Sequence, residues 1–86
     1  MTSFTILKGD TQLSFSRNGG WTISWKGWSL PVSAIDVAVT AGINNTRRLT
    51  YSLLTCALTE SNMDALWNRK FDRLKASSNR VIEWAA

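Results

Sequence analysis

The chain has no histidine, a single cysteine, a single proline and no long hydrophobic run. Without histidine it lacks the commonest general base and the commonest metal ligand. A Ser-His or Cys-His nucleophile pair, or an ordinary zinc site, cannot be assembled within one such chain. The lone Cys56 excludes an internal disulfide. It stands among Leu54 and Leu58 in an expected strand, which reads as a small, buried and inert thiol. The apolar runs fall far short of the roughly 20 residues that span a bilayer. Met1-Thr2-Ser3-Phe4 opens neither a secretory signal nor a myristoylation site. The expectation is therefore no membrane association and a cytoplasmic location in whichever cell makes the protein. Asn44-Asn45-Thr46 fits the glycosylation pattern and reads here as a turn. Acidic residues are the minority: six face ten basic ones, for a net charge of +4. That balance favours acidic partners modestly and lacks the density of a dedicated nucleic-acid binder.

What the chain does have is turn chemistry set between alternating strands. Gly9-Asp10 separates Ser3–Lys8 from Thr11–Arg17, and Asn18-Gly19-Gly20 separates that run from Trp21–Lys26. Phe4, Ile6, Leu13, Phe15, Trp21, Ile23 and Trp25 hold the apolar phase, with Thr5, Gln12, Ser14, Thr22 and Ser24 between them. Asn-Gly flanked by period-two alternation is a strong hairpin signal. Residues 3–26 should form a three-stranded antiparallel meander with one apolar face.

Beyond it, Gly27-Trp28-Ser29-Leu30-Pro31 interrupts the third strand, since Pro31 marks a bend, an edge or a bulge. Ile35, Val37 and Val39 alternate as a fourth strand, and Ala41–Thr46 is a loop. Arg47–Leu58, with threonines, Tyr51 and Cys56 along it, reads as a long central strand partly covered on both faces. Ser61 with Asp64 three residues on resembles a capping box. Met63, Leu66, Trp67, Phe71 and Leu74 then recur at helical spacing. Ser77-Ser78-Asn79 should stop that helix, and Arg80–Trp84 should be a short last strand. The expected fold is one α+β domain over residues 1–86. A curved antiparallel meander of about five strands is covered by one amphipathic C-terminal helix, over about 61–76, and followed by a short last strand.

Five tryptophans, three phenylalanines and one tyrosine are many rings for 86 residues. Trp67 lies on the helix stripe and belongs to the core, as do Trp21 and Trp25 if the hairpin registers hold. Trp28 follows a glycine at the interruption, where a large ring is hard to bury. Exposed aromatics anchor protein interfaces and stack single-stranded bases. Arg47 and Arg48 follow a Gly- and Asn-containing loop, and loops present side chains outward. On the helix, Arg69, Lys70, Arg73 and Lys75 read first as a solvated face, with a partner-contacting ridge as the alternative.

No pattern points to catalytic, cofactor-binding or metal-ligating residues, so the chain is expected to be a binding module and not an enzyme. The candidate partner-binding residues are Trp28, Lys26, Arg47 and Arg48. A protein is the expected partner, and a second copy of the chain is included in that expectation. An accessory or inhibitor role of the kind small viral proteins play belongs with this reading by size alone. The alternative is single-stranded nucleic acid or a nucleotide, bound through aromatic and basic residues on the sheet surface.

Overall fold

The structure is a computed structural model that describes the backbone of residues 3–85 and the side chains of residues 3–76. Four strands come first: β1 (Ser3–Lys8), β2 (Thr11–Ser16), β3 (Gly20–Trp25) and β4 (Trp28–Val32). They pair antiparallel in the order β1-β2-β3-β4. Register follows from the turns. Ile6, Leu13, Ile23 and Leu30 stand opposite one another across the sheet, as do Phe4, Phe15, Trp21 and Val32. Lys8, Thr11, Trp25 and Trp28 form a third row on the same face. Cross-strand neighbours of this kind are the unit of sheet packing. The opposite face carries Thr5, Ser14, Thr22 and Pro31 in one row and Leu7, Gln12, Ser24 and Ser29 in another, without a charge.

The apolar face is covered by helices. These are α1 (Ala34–Ala41), α2 (Tyr51–Ala57) and α3 (Glu60–Ala85), with a single 3-10 turn at Thr46–Arg48. α3 lies across β2, β3 and β4, α2 lies against β1, and α1 packs on α3. The core between the layers is Ile6, Leu13, Trp21, Ile23, Val32, Val37, Leu54, Leu58, Met63, Leu66 and Trp67.

The three-stranded meander forms as the alternation requires, but several expectations after it are corrected. Gly27 does not interrupt a strand. Lys26 and Gly27 both take positive φ, 45° and 85°, and make the tight turn that such a pair allows. Trp25 therefore stands opposite Trp28, and Trp28–Val32 is the fourth strand. Pro31 is tolerated because β4 is an edge.

Ile35–Val39 is helical, not extended. Ser33 caps α1 in a true capping box with Asp36: each accepts the other's backbone N–H, at 3.1 and 3.2 Å. Gly42 closes the helix, with Gly42 N–H on Val39 O and Ile43 N–H on Ala38 O at 3.2 and 2.8 Å. On a helix, residues two apart point to nearly opposite sides. Val37 is accordingly buried while Ile35 and Val39 are exposed.

The long central strand expected over Arg47–Leu58 is instead the 3-10 turn and α2. Thr50 caps α2 by accepting the N–H of Leu53 at 3.3 Å. Lys8 Nζ donates to Thr55 O at 2.8 Å, where the carbonyl end of the helix favours a cation. Cys56, expected to be buried, is exposed on α2.

α3 is capped two residues earlier than Ser61 suggests: it begins at Glu60, and Thr59 Oγ1 accepts the N–H of Asn62 at 3.1 Å. It does not stop at Ser77-Ser78-Asn79, and Arg80–Trp84 continues it as helix and not as a strand. No glycine or proline follows Gly42 in the chain. Serine and asparagine alone cost only a few tenths of a kcal/mol each in helix propensity. Met63, Leu66 and Trp67 are buried as expected, Phe71 is half-buried, and Leu74 is 46% exposed.

Candidate functional site

The hairpin between β3 and β4 places Trp28 on the rim of the sheet. Its partner Trp25 turns inward and meets Trp67 at 6.0 Å between ring centroids. Lys26 Nζ lies 4.9 Å from the Trp25 centroid, a cation over a ring face. Trp28 itself is 61% exposed. One ring edge meets Phe71 of α3, at 6.4 Å and 73°, the edge-to-face geometry that aromatic pairs favour. Below it, Leu30, Pro31, Lys70, Arg73 and Leu74 line a shallow groove of about 270 Å³. The result is an apolar strip of Trp28, Phe71 and Leu74 with basic groups along its border.

The basic residues of α3 divide by role. Lys70 forms an ion pair with Asp36, and Arg69 Nη2 donates to Thr40 Oγ1 at 3.1 Å. Both therefore hold α3 to α1. The Lys70 ammonium, helped by the Ser33 N–H and hydroxyl, brings the Asp36 carboxyl down from 3.8 to about 2, against the opposing effect of burial. Arg73 makes no ion pair among the described residues.

Arg47 and Arg48 lie elsewhere. Their turn is held by Asn45, whose Oδ1 accepts the Arg47 N–H at 2.9 Å. Both are exposed, and neither meets a carboxylate among the described residues. They lead into Tyr51, whose ring packs on Phe4 of β1. Phe4 and Trp28 occupy opposite edges and opposite end rows of the sheet. Strand and residue spacings put those corners about 20 Å apart. The structure thus brings Lys26 and Trp28 together and separates them from Arg47 and Arg48.

The sequence reading missed the companions of Trp28. Leu30 joins it on β4, for which the Lys26-Gly27 turn was the available signal, while Phe71 and Leu74 join it only through the packing of α3 on the sheet. It also missed a buried polar link: the wholly buried Thr11 hydroxyl donates to Asp64 Oδ1 at 2.6 Å. Asp64 therefore bonds across to β2 where a capping role was expected. Among the described residues no three cysteines or carboxylates gather where they could hold a metal ion. No helix among them is long and apolar enough to cross a membrane. No family model, curated protein or solved structure matches the chain.

Proposed function

We propose that this chain is a small non-catalytic binding module that engages another protein through the Trp28 strip. The observation that carries the reading is the exposed indole of Trp28, held on edge against Phe71 beside the half-exposed Leu74. Interface hot spots have this form: an aromatic anchor on a packed apolar base, with charge kept to the border. Lys26 and Arg73 at that border favour a partner whose apolar pocket is edged by carboxylates. The absence of histidine supports a non-catalytic role.

Single-stranded nucleic acid is supported less. A stacking platform needs aromatic and basic groups on an open sheet face. Here the aromatic face lies under helices, and the other face carries serine, threonine, glutamine, leucine and proline in its paired rows.

Affinity capture with the wild type and with Trp28→Ala tests the proposal. Trp28→Ala should lose the captured protein while its melting temperature stays nearly unchanged. If a second copy is the partner, the wild type should sediment above 9.6 kDa and the variant at that mass. Equal capture by both proteins would refute the reading. So would retention of nucleic acid with affinity that falls steeply with salt.

A further inference from the structure

At the Arg47 and Arg48 corner the structure holds a pocket that the Trp28 strip does not involve. Phe4 and Phe15, opposite one another on β1 and β2, form one side, and Leu49, Thr50 and Tyr51 form the other. Its volume is about 580 Å³. The walls support one another: Phe4 meets Phe15 at 5.6 Å and Tyr51 at 5.7 Å, and Phe15 meets Trp21 at 4.6 Å. Tyr51 is 51% exposed, so the pocket opens to solvent along that ring.

A second depression adjoins it, lined by Arg47, Arg48, Thr50, Ser52, Leu53 and Cys56. Thr50 borders both. No acidic side chain lines either one, and neither arginine has an ion-pair partner among the described residues. A largely apolar pocket thus adjoins, at Thr50, a depression lined by two arginines that have no ion-pair partner among the described residues. Small-molecule sites have volumes of roughly 300–1,000 Å³, mostly apolar walls and a few polar groups that fix orientation.

We propose that this pocket binds a small amphipathic organic anion, an aryl or alkyl chain ending in a carboxylate. The chain enters between Phe4, Phe15, Leu49 and Tyr51. The carboxylate lies over Thr50 and meets Arg47 and Arg48, whose forked donors match its geometry. The ring edges of Phe4 and Tyr51 favour an aromatic group in the chamber. This site is independent of the Trp28 strip and does not require the protein-binding reading.

The test uses the full chain and three matched probes: 4-phenylbutyrate, 4-phenylbutanol and 4-phenylbutylamine. Each is titrated while backbone amide shifts are followed by NMR. Phenylbutyrate should bind with a dissociation constant on the order of 1 mM. Its saturable shifts should centre on Phe4, Phe15 and Leu49–Tyr51. The alcohol should bind more weakly at the same amides, and the amine weakest. Arg47→Ala with Arg48→Ala should weaken phenylbutyrate by about tenfold and leave the alcohol unchanged. Both arginines are exposed, so the variant keeps its fold. Tyr51→Ala should weaken acid and alcohol alike, and Trp28→Ala should alter neither. Equal binding of acid and amine would overturn the proposal, as would shifts centred on Trp28. Tighter binding of the peptide acetyl-Glu-Trp-Glu-amide at the same amides would overturn it in favour of a protein ligand.

Discussion

Asp36 on α1 and Lys70 on α3 form an ion pair, and the same Asp36 oxygen accepts the Ser33 N–H that starts α1. One carboxylate thereby caps its own helix and fastens it to the next. The charged form is favoured in the fold, with its pKa lowered from 3.8 to about 2. A depressed carboxyl pKa contributes stability that is present above the unfolded value and lost as pH falls through the folded one. The wild type should therefore lose stability between about pH 4 and pH 2. Asp36→Asn should melt lower than the wild type at neutral pH, with the difference closing across that window. Thermal melts at several pH values check this. A difference that stays constant to pH 2 would assign the effect to the cap hydrogen bonds and not to the charge.

The Thr11–Asp64 hydrogen bond joins the sheet to α3 at a wholly buried threonine. Thr11→Val preserves shape and removes the donor. It should cost about 2 kcal/mol, the scale of a buried hydrogen bond to a charged group. Chemical denaturation measures the loss. A double-mutant cycle with Asp64→Ala should give a coupling of about 1 kcal/mol or more. Additive single changes would show that the two groups act separately.

The helix stripe should divide energetically between Trp67 and Leu74. Trp67 is 4% exposed and stacked on Phe71 at 5.8 Å. Trp67→Ala should cost about 3–5 kcal/mol, a large share of the stability of a small domain. Leu74→Ala should stay within about 0.5 kcal/mol. Equal effects at the two sites would extend the energetically important sheet-to-helix contact along α3 as far as Leu74.

Gly9 is constrained in two ways. Its φ is 63°, and a Cβ there would meet the exposed, flexible Glu60 side chain, which would have to shift. Gly9→Ala should therefore destabilise by about 1–3 kcal/mol. Glu60→Ala in the same chain should relieve the crowding and leave the backbone strain. Gly9→Asn should be tolerated better than Gly9→Ala once Glu60 is gone, because asparagine adopts this region more readily. Melting temperatures of the three variants decide the order.

The first three strands were legible because alternation and turn residues agree over most of Phe4 to Trp25, although Leu7 lies on the outer face and Lys8 and Thr11 on the core face. Farther on, the same logic misled. Ile35, Val37 and Val39 alternate as a strand would, but the helix splits them between core and solvent. Eight residues in α1 and seven in α2 are too few for a period of 3.6 to separate itself from a period of 2. The caps carried the missing information: Ser33 with Asp36 before α1, Gly42 after it, and Thr50 before α2. The Trp28 site was legible only as an isolated ring. Its platform depends on Phe71, forty-three residues away in sequence, which no local pattern connects to it. The aromatic pocket was hidden for the same reason, since Tyr51 reaches Phe4 only once Arg47–Leu58 is helical.

The sequential pairing of the four strands has a consequence during synthesis. Each hairpin closes over two or three residues, and β-hairpins form in roughly 1–10 μs. A ribosome adds about 5–20 residues per second. The strands therefore have ample time to pair once they leave the ribosome. Met63, Leu66, Trp67 and Phe71 of α3, which cover much of that sheet, are made after all four strands. For an interval of seconds the nascent chain holds a sheet whose Leu13 and Ile23 still lack their cover from α3. That intermediate is prone to bind other nascent chains or a chaperone, and a chain cut short before Met63 would remain in it.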